Sequence, residues 1–413
     1  MLYLSFSLLP PLYSSPEFKI MSLLEVITKA SAESQSLYSP SEYPIVLDPD
    51  SIFPNLKPKL DDPNPISAAI PLNGWEISQT DSELIELGKK FTTKLKKKLK
   101  NPVKFDRAEF LGMVNAFLEK IRDKVGVSIG VVDSSNEGYT LVLVEKVREY
   151  MGKDVAGLVL EACVVLEVWE LVGTLIANGL VSSSCYKDLV AKIVAKRRTE
   201  LVCMCLRYAS DLGSSELVMI LKYFLSPTKD AYDSIVEVRK EWESQALLAA
   251  EKASDRSLSG KKLCMAKEAA VLLMVAYDGF SSAELCLHYL LVSKNVDEVI
   301  LSSAVSKLSG KEMVSLLRYL GKWLKKYERF PQAGPCHKAS TTLGLKACDW
   351  VPKLEDVLKC SGVVLDENYS ALVLHPEFHE ELRSINKVVG SLTLEARLCY
   401  SVANVADKLK AEV

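Results

Sequence analysis

The sequence lacks the short motifs by which most active sites are recognised. Neither G-x-x-x-x-G-K-S/T nor G-x-G-x-x-G, the glycine patterns that hold phosphates, occurs, and there is no G-x-S-x-G nucleophile turn. Only four histidines are present among 413 residues, which leaves little for histidine-based catalysis. The carboxylates are numerous but spread along helical patterns, as solvated side chains usually are. We therefore expect a non-enzymatic protein without a cofactor.

Long apolar runs and an excess of charge are also missing. No stretch reaches the roughly 20 uncharged apolar residues of a membrane span. The formal net charge is −2, so any attraction to nucleic acid must come from a local patch. The ten cysteines follow no pairing pattern, which is typical of a reducing compartment such as the cytosol or nucleus.

Proline is scarce after residue 103: twelve of the 17 prolines come before it. Residues 38–74 have a proline every few positions, which favours an extended, disordered arm. Residues 1–20 are apolar, but no lysine or arginine precedes the apolar stretch, and Pro10 and Pro11 interrupt it. We expect a dispensable or misassigned extension there, with an organellar import signal as the alternative. Residues 1–79 are thus assigned to an extension and a Pro-rich disordered arm.

Apolar residues at helical spacing dominate the rest of the chain. Thr80 with Glu83, and Asp106, are placed as helix N-caps, so residues 80–124 are expected to hold a basic amphipathic helix and a second helix. Further runs of helical length fill residues 125–413; they lie at 139–151, 155–178, 185–208, 214–225, 231–253, 261–277, 281–293, 296–308, 311–329, 352–373 and 376–410. One stretch, VSIGVVD at 127–133, could be a strand. The fold predicted is all-α, an irregular α-solenoid of stacked helical hairpins without a fixed sequence repeat.

Two groups of residues resemble metal ligands without having the required spacing. His375 and His379 lie four apart, but Pro376 stands where a zinc peptidase has its glutamate, and it suits the first turn of a helix instead. Cys336, His337, Cys348 and Cys360 lack the paired C-x2–4-C spacing of structural zinc sites. We expect no metal at either place. In the surrounding stretch, Leu365, Leu372 and Leu374 are expected to pack inwards.

The strongest charged feature is the run KKFTTKLKKKLKNPVK at residues 89–104. Its apolar residues Phe91, Leu95 and Leu99 are four apart, which predicts an amphipathic helix with one apolar stripe. The candidate nucleic-acid contacts are its eight lysines: Lys89, Lys90, Lys94, Lys96, Lys97, Lys98, Lys100 and Lys104. Such a face could contact phosphates without reading sequence, or could serve in nuclear targeting. An ordinary solvated helix face is the alternative.

The last two hundred residues resemble a known family. The segments are TELVCMCLRYASDLGSSELVMILKYFLS at 199–226, EMVSLLRYLGKWLKKY at 312–327 and WVPKLEDVLKCSGVVLDENYSALVLHPEFHEELRSI at 350–385. They resemble the C-terminal helical domain of the nucleolar protein eleven family, a component of the small-subunit processome. Members of that family usually carry a β-propeller before the helical part. Here the Pro-rich arm and the lysine-rich run stand in its place.

The resemblance implies a nuclear, nucleolar scaffold in small-subunit ribosome biogenesis, acting in pre-rRNA transcription and processing. Its partners would be processome proteins, including WD-repeat proteins with related helical C-terminal domains, and pre-rRNA through backbone contacts, with no membrane involved. A cytosolic α-solenoid adaptor in trafficking or protein turnover is the alternative.

Overall fold

The computed structural model describes residues 78–100, 105–128, 138–255, 257–258 and 260–411. The Pro-rich arm, Lys104 and most of the VSIGVVD stretch lie outside these residues. Within them the chain forms seventeen α-helices and no strand, which confirms the all-α prediction. The helices are α1 Gln79–Leu99, α2 Arg107–Val125, α3 Tyr139–Val147, α4 Lys153–Val165, α5 Trp169–Ala177, α6 Ser183–Ala195, α7 Thr199–Tyr208, α8 Ser214–Leu225, α9 Tyr232–Ser254, α10 Gly260–Tyr277, α11 Ser282–Val292, α12 Glu298–Val305, α13 Gly310–Arg329, α14 His337–Leu343, α15 Leu354–Glu367, α16 Tyr369–Leu374 and α17 His379–Ala411.

The helices stack in two layers. Helices α4, α6 and α8 contact one another in sequence, and so do α3, α5, α7 and α9 in the second layer. Between the layers, α4 contacts α5 and α6 contacts α7. This is the stacking of helical hairpins expected of an α-solenoid. One apolar core runs from Phe91 in α1 to Val388 in α17.

Two consecutive hairpins, α4–α5 and α6–α7, have the same geometry. Helices α4 and α6 are both 13 residues long, and both end in a turn whose middle residue is left-handed: Glu167 at φ 56° and Arg197 at φ 57°. The next backbone N–H reaches back to the last turn in the same way, from Val168 to Cys163 O at 2.8 Å and from Arg198 to Ile193 O at 2.9 Å. These residues are thirty positions apart in each case, so the two hairpins form a local structural repeat.

Of three local expectations, two need correction. The N-cap of α1 is Ser78, whose Oγ accepts from the Asp81 N–H at 3.1 Å, and not Thr80. Asp106 caps α2 as expected, with its Oδ1 2.7 Å from the Glu109 N. Leu374 does not pack inwards: it is 74% exposed, whereas Leu372 is buried.

The second half of α17 has no neighbour among the described residues. Ile385 and Val388 are buried, and Ile385 lies against Gly321 in α13. From Thr393 onward every side chain of known exposure is exposed, including Leu394, Leu398 and Val402. No described helix by itself is long and apolar enough to cross a membrane, although α10 and α11 reach the apolar content of a span when joined across their 117° bend.

Candidate functional site

Residues 89–99 of the lysine-rich run form the second half of α1, and the apolar stripe fixes the orientation of this helix. Phe91 and Leu95 are buried, and the Phe91 ring stacks on Phe117 of α2 with centroids 4.3 Å apart. Since side chains four apart share one side of a helix, this stripe turns the intervening lysines outward. The amphipathic helix predicted from the sequence is therefore present.

Six lysines of this helix are exposed to solvent: Lys89, Lys90, Lys94, Lys96, Lys97 and Lys100. Lys90 pairs with Glu86 at 3.0 Å, and the half-exposed Lys98 pairs with Glu109 of α2 at 2.6 Å. Among the described residues, no carboxylate lies within ion-pair distance of Lys94, Lys96, Lys97 or Lys100. Lys89 is likewise exposed and without an ion pair among the described residues, so five charges are available to an external anion. We call the four nearest the C-terminal end of the helix, Lys94, Lys96, Lys97 and Lys100, the lysine face.

Ion pairs at both ends of α1 hold it against α2. Lys98 contacts Glu109 near one end, and Glu83 contacts Lys124 near the other. The Lys124 ammonium, through its hydrogen bond first and its charge second, lowers the pKa of the Glu83 carboxyl. The lysine face is thus carried by a helix anchored at both ends, which positions it better than a flexible loop would.

A polar cleft of about 570 Å³ near α14 is the best candidate for a catalytic site, but the arrangement of its side chains does not support catalysis. Asp349 accepts hydrogen bonds from His337 Nδ1 at 2.6 Å and from Ser340 Oγ at 2.5 Å. In a hydrolase triad the serine binds the other ring nitrogen of the histidine, which takes its proton. Here the serine and the histidine share one carboxylate, so the histidine is not placed to activate the serine.

His288 is a fully buried histidine that stabilises the fold. Its Nε2–H donates to the Ala276 carbonyl at 2.9 Å, and its Nδ1 accepts from the Tyr319 hydroxyl at 2.8 Å. The rings of Phe280 and Trp323 pack around it, with centroids 4.8 and 4.9 Å away. Burial away from water lowers the pKa of His288 to about 3, so the ring is neutral at physiological pH.

The possible metal ligands do not gather in the structure. His375 is exposed, while His379 turns back, with its Nε2 2.9 Å from the Val373 carbonyl. Burial raises the pKa of the Cys348 and Cys360 thiols to about 12, which disfavours the thiolate that zinc requires. No group of three or more metal-ligating side chains lies together in the described part of the chain.

Sequence reasoning missed a surface groove across α3, α5 and α7. It has a volume of about 630 Å³ and takes one glutamate from each helix: Glu145, Glu170 and Glu200. We call it the glutamate groove. The one available signal was the tripeptide Glu-Leu-Val, which occurs in the groove at 170–172 and 200–202 but also outside it at 216–218, so it does not identify the groove. Glu145 has no such marker, because only the stacking of helices brings it beside the others.

Comparison with known proteins adds no further constraint: no protein-family model, curated protein or solved structure matches this chain.

Proposed function

We propose that the protein is a non-enzymatic helical scaffold of the nucleolus that acts in small-subunit ribosome biogenesis. In this role the stacked helices dock partner proteins, and the lysine face contacts the phosphate backbone of pre-rRNA. The ribosomal assignment rests on the sequence resemblance of residues 199–385. The RNA contact rests on four exposed lysines without ion-pair partners among the described residues.

The lysine face suits backbone contact better than base recognition. Lysine ammonium groups bind phosphates as point charges, and such contacts carry no sequence information. No aromatic ring is exposed on the described part of α1, where Phe91 is buried, so stacking of unpaired bases has no platform. We therefore expect RNA binding that is independent of sequence and strongly dependent on salt.

The lysine face can be tested with a labelled single-stranded RNA of mixed sequence and fluorescence anisotropy. Four phosphate contacts predict that log K falls against log salt with a slope of about −3, since each contact to a single strand contributes about −0.7. Changing Lys94, Lys96, Lys97 and Lys100 to Gln should raise Kd by about tenfold or more at moderate salt and flatten the slope.

The matched control removes the same charge elsewhere. Lys187, Lys192, Lys222 and Lys267 are also exposed and lie on α6, α8 and α10. Their replacement by Gln should change Kd by less than about twofold if the lysine face is specific. Equal effects of both variants would refute the RNA contact. A fluorescent fusion that stays in the cytosol would refute the nucleolar role and favour the adaptor alternative.

A further inference from the structure

The glutamate groove lies in the second layer of helices and is separate from the lysine face. Its walls come from α3, α5 and α7, which contact one another in that order. No other described helix lines it. The groove is therefore an accessible surface formed by the regular stacking of hairpins.

The groove lining carries three exposed glutamates and one half-buried arginine, Arg198, so its formal charge is negative. Glu170 and Glu200 occupy equivalent positions in the two repeated hairpins: each is the second residue of its helix, α5 or α7. Glu170 is 3.0 Å from Arg107, but both side chains are more than half exposed, and such pairs are weak. Glu145 and Glu200 have no ion-pair partner among the described residues. The groove thus offers negative charge to an outside molecule.

The floor of the groove is apolar and its packing is close. Gly173 on α5 faces Met204 on α7, and a Cβ atom at this glycine would lie 3.3 Å from Met204 Sδ. The missing side chain leaves room for the methionine, whose flexible thioether adapts well to a bound side chain. An apolar floor beneath an acidic rim is the usual anatomy of a protein-binding surface.

Two aromatic rings at the groove are held in place by arginines. The Arg198 guanidinium lies 5.6 Å from the Trp169 ring centroid. At the other side, Arg207 stacks on Tyr208 at 5.1 Å and donates to its hydroxyl at 3.2 Å, and Trp350 meets Tyr208 edge-on. Trp169 is buried in the core, whereas Tyr208 is 39% exposed and is the ring that a ligand can reach. Tyrosine is among the residues that carry most binding energy at interfaces, and a ring fixed beforehand loses less entropy on binding.

We propose that the glutamate groove binds an amphipathic helix of a partner protein that presents lysine or arginine on its docking face. The occupant follows from charge: three glutamates on successive helices need a basic partner. Packed helices are about 8–10 Å apart, and seven residues of helix rise by about 10.5 Å. Basic residues at seven-residue intervals on a helix crossing α3, α5 and α7 would therefore meet successive glutamates, with apolar side chains on Met204. This assignment rests on the proposed scaffold role and gives it a specific surface.

The test uses the full chain and a defined probe. The probe is a fluorescein-labelled helical peptide with lysine at every seventh position and leucines one turn away; a second peptide has glutamate in place of each lysine. Fluorescence anisotropy should show saturable binding of the lysine peptide and none of the glutamate peptide. Glu145→Gln with Glu200→Gln should raise its Kd about fivefold or more, and Met204→Ala should weaken binding further.

A second acidic groove on the opposite layer supplies the matched control. Glu161 and Asp188 line a groove between α4 and α6. Glu161→Gln with Asp188→Asn should leave Kd within about twofold. Equal weakening by both pairs, or no binding of the lysine peptide, would overturn the proposal. So would an oligomer of the protein that the Glu145 and Glu200 substitutions dissociate, because the occupant would then be a second copy.

The outcome is separable from that of the RNA experiment. The groove substitutions should leave RNA affinity unchanged, and the lysine-face substitutions should leave peptide affinity unchanged. If the wild-type protein bound RNA but not the lysine peptide, the groove assignment would be wrong and the RNA contact would stand. If it bound the lysine peptide but not RNA, the RNA contact would be wrong and the groove assignment would stand.

Discussion

At the scale of single residues, the histidines show how burial decides the role of a side chain. His288 was one of four histidines available for chemistry, yet it lies fully buried between the Ala276 carbonyl and the Tyr319 hydroxyl. Tyr319 in turn accepts from Trp323 Nε1 at 3.2 Å, which extends the chain of hydrogen bonds along α13. The neutral imidazole satisfies a donor and an acceptor in the core, so its contribution is to stability.

This burial predicts a pH-dependent stability. The pKa of His288 is about 3 in the folded protein and near 6.5 when exposed, so the folded state binds fewer protons between these values. Its contribution is complete above pH 6.5 and is lost as the pH falls, at up to about 1.4 kcal/mol per pH unit. His288→Gln, which keeps a donor and an acceptor, should reduce this slope by that amount in urea unfolding at pH 6.5 to 4.5.

The wild-type protein provides the control, because the two proteins differ in no titratable group other than His288. An equal slope in the wild-type protein and the His288→Gln variant would show that His288 is protonated in the folded state, contrary to its buried position.

The same scale shows which site residues the sequence could reveal. The lysine face comes from one helix, so charge and apolar spacing within residues 89–100 were sufficient to predict it. The glutamates of the groove come from three helices and lie far apart in the chain. No local pattern marks Glu145 as a neighbour of Glu200, since their proximity depends on how the hairpins stack.

At the scale of helices, most positions were predictable, but α14 lies in none of the predicted runs, the run at 352–373 divides into α15 and α16, and two hairpin turns gave no signal. The apolar runs at 155–178 and 185–208 were each expected as one helix, and each is a hairpin. These two turns cannot be recognised in the sequence, because Glu167 and Arg197 adopt the left-handed conformation that glycine usually takes at a helix end. Without a glycine or proline, the helical spacing continues through the turn and gives no signal of the break.

The buried first half and the exposed second half of α17 should contribute very differently to the free energy of unfolding. A chain ending at Glu395 loses only exposed side chains from the described part of α17, so its unfolding free energy should stay within about 0.5 kcal/mol of the full chain. Ile385→Ala, which removes a buried side chain beside Gly321, should cost about 2 kcal/mol or more.

Both values are accessible from urea unfolding followed by circular dichroism. A large loss of stability on truncation would mean that residues 396–413 pack on another part of the chain, which the exposed side chains of α17 argue against.

At the scale of the whole molecule, each helix depends mainly on its neighbours. Helix α1 contacts α2 and α4, whereas α13 contacts α15 and α17, and among the described helices α1 and α2 do not pack against α13, α15 or α17. In stacked-hairpin proteins, stability is close to a sum of local and nearest-neighbour terms. A destabilising substitution at one end should therefore lower the stability of the adjacent helices only.

Hydrogen exchange measured by mass spectrometry would show which helices are destabilised. Leu95 in α1 and Leu317 in α13 are both fully buried, so replacing either with Ala should cost about 2–5 kcal/mol locally. Leu95→Ala should speed exchange in α1, α2 and α4 but leave α13 and α15 protected, and Leu317→Ala should do the reverse. Uniformly faster exchange in both variants would mean that the chain unfolds as one unit.

The matched hairpins α4–α5 and α6–α7 have a consequence for how such a chain can change in length. Because both have the same turn, and α5 and α7 bury equivalent positions, a duplication or deletion of thirty residues at their junction would preserve the stacking within this layer. Each added unit would also place one more carboxylate on the row that begins with Glu145 and would extend the glutamate groove by about 10 Å. Homologous chains are therefore expected to differ here by whole hairpins, and with them in the length of the ligand they accommodate.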